Sequence, residues 1–154
     1  MSETIDNHRR RVFEYMARLS QEVMRRGNEH DQSKYSDEEY PIYVESTAEF
    51  SKYPFGSEGY YRTKEKMKSA IDHHYKHNRH HPEHHPNGID DMNLVDIMEL
   101  LMDWKSATLN HPEMLGDILK SVEMGAEKYN IPPTLKKIML NTLRDFDLLD
   151  NRIK

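Results

Sequence analysis

Residues 94–109 read LVDIMELLMDWKSATL. Leu94, Val95, Ile97, Met98, Leu100, Leu101, Met102 and Trp104 cover nearly every side of a helix built on this stretch, and a helix that is apolar all round belongs in the interior of its fold. Asn93 stands just before it and is a good N-cap. Asp96, Glu99 and Asp103 step by three and four, so they form one acidic stripe on an otherwise apolar rod. An unpaired carboxylate is costly in an interior. The stripe therefore calls for cations, supplied by Lys and Arg or by metal ions.

Outward from this helix, the pattern stays helical. In 4–26, Ile5, Val12, Tyr15, Met16, Leu19 and Val23 recur mostly at steps of three, four and seven, and Gly27 is expected to end the helix. Ser36 with Glu39 reads as a capping box opening a helix over 37–50. Pro54, Gly56 and Gly59 mark 52–59 as a loop. A helix is expected over 60–79, and Pro82, Pro86 and Gly88 make 80–92 a structured loop. Further helices follow over 115–129 and from Pro132 and Pro133 to about residue 149, Pro being favoured in a first turn. The expected fold is all-α: a compact single-domain bundle of about six helices over 1–154. The metal-site core would lie in 8–107, with C-terminal helices in 112–150.

The chain has 154 residues, 36% hydrophobic and 32% charged, which suffices for one modest core. It contains no cysteine, which excludes disulfides, thiolate ligands and cysteine nucleophiles. No apolar run is long enough to span a bilayer and no leader pattern precedes residue 20, so a cytoplasmic protein without a membrane partner is expected. A net charge of −5 argues against bulk nucleic-acid binding. Ten methionines suit an adaptable core.

The histidines carry the chemistry. Seven of the ten lie in DHHYKHNRHHPEHH, residues 72–85. Imidazole and carboxylate are ligands for Mn, Fe, Co, Ni and Zn. His74, His77 or Asn78, and His81 would share a face if the helix continued that far, and His73–His77 and His77–His81 are i, i+4 pairs. Pro82 disfavours helix at His81, so His80 and His81 could instead turn over the site, with Glu83 as a catalytic or supporting carboxylate. Upstream, EHDQSK holds His30 and Asp31, with Lys34 one turn on and suited to a phosphate oxygen. His8 lies 22 residues before His30 and could reach it only across two antiparallel helices. His84, His85 and His111 read as surface residues. The tyrosines read as packing residues with a wet end. There is no glycine-rich nucleotide fingerprint.

The order H…HD…HH…D on a helical chain resembles the HD superfamily of metal-dependent phosphohydrolases. HDQSK is similar to its HDIGK motif, HRRRVFEYMARL to its first-helix pattern, HHPE to the HHE of its two-metal members, and MDWKSA to its later Asp-bearing helix. The resemblance spans residues 8–107. The whole chain also resembles a family of small proteins, many encoded by bacteriophages, with HDxSK, NRHHPE and a DW-containing helix. The resemblance implies that His8, His30, Asp31 and Asp103 hold one metal. It implies that His74 with His80 or His81 adds a second, Asp31 bridging, and that Lys34 meets phosphate. The sequence departs from the superfamily in its compressed histidine segment and in Ser33, which replaces the usual Gly.

The implied activity is hydrolysis of a small phosphorylated substrate, a nucleotide or another small phosphate ester, at one or two divalent transition-metal ions. A bound ion lowers the pKa of water toward neutrality. Two alternatives use the same residues differently. An all-α nucleoside triphosphate pyrophosphohydrolase would hold Mg on Asp96, Glu99 and Asp103. A metal-stabilised binding module would show no turnover.

Overall fold

The computed structural model describes residues 3–50, 52–53, 57–110 and 117–149. Among these there are seven α-helices and no strands: α1 Glu3–Glu29, α2 Tyr40–Phe50, α3 Glu58–Lys66, α4 Lys68–His77, α5 Leu94–Asn110, α6 Ile118–Lys128 and α7 Pro133–Asp145. Short 3-10 turns occupy Gln32–Tyr35, Pro82–His84 and Gly88–Asp91. No helix among the described residues is long and apolar enough to cross a membrane. The all-α class expected from the sequence is thus the observed one.

The hydrophobic core belongs to the C-terminal half. Ile97, Leu100 and Leu101 of α5 pack with Ile118 and Val122 of α6, Ile131, and Met139 and Leu143 of α7. Trp104 leans on α6, where a Cβ at Gly125 would stand 2.1 Å from the indole Cη2. Gly125 is therefore fixed by close approach. Alanine is the better helix former by about 1 kcal/mol, but overpacking a filled site costs about 1–3 kcal/mol. Gly125→Ala is accordingly expected to lower the urea midpoint, with the slope of the transition unchanged. A raised midpoint would show that Trp104 moves aside freely.

The second face of α5 carries the acidic stripe toward α1, α4 and the histidine loop. Asn93 does cap this helix: its Oδ1 accepts from the backbone N–H of Asp96 at 3.1 Å, and Asp96 Oδ2 accepts from the N–H of Asn93 at 3.0 Å. This is a capping box with Asp in the Glu position. Asp96 also accepts from Arg26 at 2.8 Å and from Arg79 at 3.0 Å. Arg26 ties the end of α1 to α5, while Arg79 ties down the start of the histidine loop.

Several expected boundaries move. α1 runs through Gly27, because no backbone feature of a helical glycine forces a stop. It ends where Asp31 adopts the left-handed conformation at φ 57°. The helix expected over 60–79 is two helices that break at Met67, where no proline or glycine marks the break, and α4 ends at His77. The helix over 37–50 starts only at Tyr40. Glu39 N–H does donate to Ser36 Oγ at 3.3 Å, but the Glu39 side chain goes elsewhere, as shown below. His111 and the start of the 115–129 helix lie outside the described residues, as does part of the 52–59 loop.

Candidate metal centre

Asp31 is the pivot of the site. Few residues other than Gly take its left-handed backbone, and Asp is among those that tolerate it. That conformation ends α1 and starts the 3-10 turn Gln32–Tyr35, so the carboxylate turns inward, away from the line of α1. Its two oxygens face different groups. Oδ1 lies 3.1 Å from His74 Nε2 and 3.5 Å from His80 Nε2. Oδ2 lies 3.4 Å from His30 Nε2 and 2.5 Å from Lys34 Nζ. His30 Nε2 is in turn 3.5 Å from Asp103 Oδ1.

Two candidate ligand sets share this carboxylate. Asp31, His74, His80 and His81 form one, and His30, Asp31 and Asp103 form the other, with one possible ligand atom per residue lying within 4.8 Å of the rest. Ligand atoms 2.0–2.1 Å from one ion would stand about 3.4 Å apart in a tetrahedral set, so a modest contraction brings each set to coordination distance. A third grouping, His30, His80 and Glu99, overlaps both.

The other ring nitrogens explain why these imidazoles present Nε2. His30 Nδ1 donates to Glu99 Oε1 at 2.9 Å, and His80 Nδ1 lies 3.1 Å from the same oxygen. His74 Nδ1 donates to Glu39 Oε2 at 3.0 Å, and His73 Nδ1 donates to Glu39 Oε1 at 2.7 Å. A carboxylate can only accept, so each of these Nδ1 atoms carries the proton. Such partners orient the rings and aim the Nε2 atoms of His30, His74 and His80 at the centre, as carboxylates behind metal-bound histidines do. Glu39 is fully buried, held by these two histidines.

What remains unpaired is the test of fit. Asp31 Oδ1, His80 Nε2 and His81 Nε2 are buried and complete no hydrogen bond among the described residues. Unsatisfied buried polar atoms are rare in folded proteins and call for a missing partner. Here three converge, all with electron pairs to offer. A divalent cation satisfies all of them at once, whereas an apolar occupant satisfies none.

The electrostatics agree. Burial works to raise the Asp31 carboxyl, but His74 and Lys34 outweigh it and hold the group well below the usual carboxylate range. Burial likewise opposes Glu99, and His30 and His80 overcome it, so Glu99 is also depressed. Burial, with His80 and His74 beside it, pushes His81 down to about 4, leaving the ring neutral and able to ligate. His30 is raised to about 10, mainly by Asp103 and Glu99, so it is protonated on both nitrogens at neutral pH and an ion bound there would displace the Nε2 proton. The centre thus holds ionised carboxylates against imidazoles.

Three expectations need correction. His8 sits exposed on α1. Because α1 is continuous from there to Glu29, at 1.5 Å per residue His8 stands about 30 Å from the centre. The antiparallel return it required is absent. Glu83 does not approach the centre; its Oε1 accepts from Lys128 Nζ at 3.0 Å and Tyr129 OH at 2.9 Å, tying the histidine loop to α6. The helical register of the histidines also fails past His77. Pro82 holds His81 extended at φ −88°, ψ 127°, and it is this turn that brings in His80 and His81 together rather than one of them. His77 stacks on His73 instead, ring centroids 4.0 Å apart.

Glu99 and Glu39 are the functional side chains that the sequence reading left without their roles. Glu99 was visible as the middle of the stripe, but nothing in its spacing told a metal ligand from a partner of histidine Nδ1. Glu39 sat in a convincing capping box, which hid its second use.

Lys34 Nζ, Tyr43, Tyr75, Ile71 and Asp103 join Asp31, His74 and His81 around a cavity of about 200 Å³. Lys34 also lies 5.7 Å over the Tyr43 ring. The cavity is small, open beside the ligand sets, and has one cation on its wall.

Fold and site together define an all-α protein with a buried histidine–carboxylate centre. The chain belongs to the Family of unknown function (DUF5662), whose model matches residues 1–145. No curated protein and no solved structure matches it.

Proposed function

We propose that this protein is a metal-dependent phosphohydrolase acting on a small phosphate ester with one or two ions, Asp31 being common to both candidate ligand sets. The observation that carries the reading is the convergence of Asp31 Oδ1 with His80 Nε2 and His81 Nε2, all buried and neither imidazole nitrogen completing a hydrogen bond among the described residues, beside a cavity lined by Lys34. Asp31, His74, His80 and His81 would hold one ion and His30, Asp31 and Asp103 the other. When bound, such ions act as Lewis acids on a phosphoryl oxygen and lower the pKa of a nearby water. Imidazole-rich sets favour Mn, Fe, Co, Ni or Zn over Mg alone.

The chain's own residues divide the remaining work. Glu99 and Glu39 orient the imidazoles. Lys34, a mobile point charge, would exchange its pairing with Asp31 for a substrate oxyanion as the ions neutralise that carboxylate. Tyr43 and Tyr75 bound the space left for the ester's leaving group. The pyrophosphohydrolase reading is less well supported, because Asp96 is already engaged by Arg26, Arg79 and the Asn93 N–H.

The test is metal analysis of untagged protein followed by a screen of phosphate monoesters, diesters and nucleotides with the metal found. About one or two equivalents of a transition metal, with inorganic phosphate or a nucleotide product released, is the expected result. Stoichiometric metal with no turnover on any ester class would favour a metal-stabilised binding module. Activity with Mg alone, insensitive to His80→Ala, would overturn the reading.

A further inference from the structure

The long helix α1 presents a surface that the other described residues do not cover. Among the described residues none of its 27 residues is buried. Ile5, Val12, Phe13, Tyr15, Met16 and Leu19 are between 47% and 72% exposed. These are not scattered. Ile5, Arg9, Val12, Met16, Leu19 and Val23 alternate by four and three, which is the a/d seam of a coiled coil. Phe13 and Tyr15 flank the seam on either side. Single exposed apolar residues are ordinary, but a contiguous stripe marks an interaction surface.

The seam is complementary to itself in one direction only. In an antiparallel pair centred on residue 14, a positions face d positions: Met16 meets Val12, Val23 meets Ile5, and Arg9 meets Leu19. Phe13 then meets Phe13 and Tyr15 meets Tyr15 on opposite sides of the two-fold axis, and His8 comes beside Glu22. In a parallel pair Arg9 would face Arg9 inside the seam, a like-charge contact that disfavours it. Against Leu19, the Arg9 stem can lie along the apolar surface with its head in water. The exposed part of the six apolar side chains is on the order of 700 Å² per copy, near the roughly 800 Å² per partner of a standard interface.

We infer that α1 is the dimerisation arm of this protein, pairing antiparallel with α1 of a second copy. The pairing also bears on the centre. Val23 lines a groove of about 270 Å³ with Met98 and Met102 that reaches His30 and Asp103. In the inferred register Ile5 of the partner subunit stands opposite Val23, so the dimer would extend the apolar wall of that groove. This inference does not depend on the metal reading.

The experiment is sedimentation equilibrium on the full chain at roughly 100 µM, far above the ~1 µM dissociation constants an interface of this size commonly supports. The expected mass is twice the 18.4 kDa of the chain, and Met16→Glu is expected to give the single-chain mass with an unchanged helical circular-dichroism spectrum. The chain has no native cysteine, so single substitutions then read the direction. Under oxidation, Tyr15→Cys is expected to cross-link and Ile5→Cys is not. A monomeric wild type, or a dimer insensitive to Met16→Glu, overturns the inference. Cross-linking at Ile5→Cys but not at Tyr15→Cys overturns the antiparallel arrangement.

Discussion

Asp31→Asn is expected to strip the centre of metal and to lower kcat/KM on any ester the protein hydrolyses by about 10³ or more, equivalent to roughly 4 kcal/mol of lost transition-state stabilisation. The reasoning is local. Both candidate ligand sets contain Asp31, so one substitution removes a ligand from each. Asn keeps the shape and tolerates the left-handed backbone at φ 57° that Asp31 adopts, so the fold survives and the loss is one of charge and of donor atoms. A group that binds only the folded state stabilises it by about 4 kcal/mol at a thousandfold excess over its dissociation constant. At this chain length that corresponds to about 10 °C in melting temperature. A chelator should therefore lower the Tm of the wild type by that order and leave Asp31→Asn unmoved. His8→Ala and Glu83→Gln serve as controls: both are expected to retain metal, the first because it stands far along α1, the second because Glu83 serves Lys128 and Tyr129. Metal retained at wild-type stoichiometry in Asp31→Asn would sink the proposed centre.

Glu99→Ala is expected to be the most destabilising of the site substitutions, at about 3–5 kcal/mol. Glu99 lies opposite three cationic or donor groups: His30 Nδ1 at 2.9 Å, His80 Nδ1 at 3.1 Å and Arg26 Nη2 at 2.5 Å. Its removal leaves Arg26, a largely buried guanidinium, with Asp96 alone. The milder Glu99→Gln separates structure from metal chemistry. It preserves an acceptor oxygen but not the charge, so stability should fall less, while metal affinity falls 10–100-fold as it does when the carboxylate behind a ligating histidine is lost. Calorimetric titration of metal-free protein with Zn or Mn checks this. Equal affinity in Glu99→Gln and wild type would mean that the imidazoles do not depend on Glu99 for their orientation.

The contrast between His8 and the residues at the centre shows how far a motif carries. His30, Asp31, His74, His80, His81 and Asp103 were all singled out from residue type and order, and the structure brings all six together. His8 was drawn in by the same order, yet a helix that ignores Gly27 separates it from the others. A lone helical glycine lowers helix propensity by only about 1 kcal/mol, too little to overrule twenty-six neighbours. Conversely, the break at Met67 carries no sequence mark.

By itself the sequence determined the helical class and the inventory of ligand types, because hydrophobic period, capping residues and side-chain chemistry act within a turn or two of chain; of the all-round apolar α5, Ile97, Leu100 and Leu101 are buried while Leu94, Met98 and Met102 stay exposed. Asn93 and Asp96 form their box with no help from distant residues. Only the tertiary structure decided which groups meet. Asp31 reaches His74 and His80 across more than forty residues because a left-handed residue ends α1 and a proline holds His81 extended. Glu39 and Glu99 turn to imidazole Nδ1 atoms because burial leaves them no water to face. Those pairings depend on the packing of α1, α4 and α5 against one another, and no local pattern encodes the distance between helices.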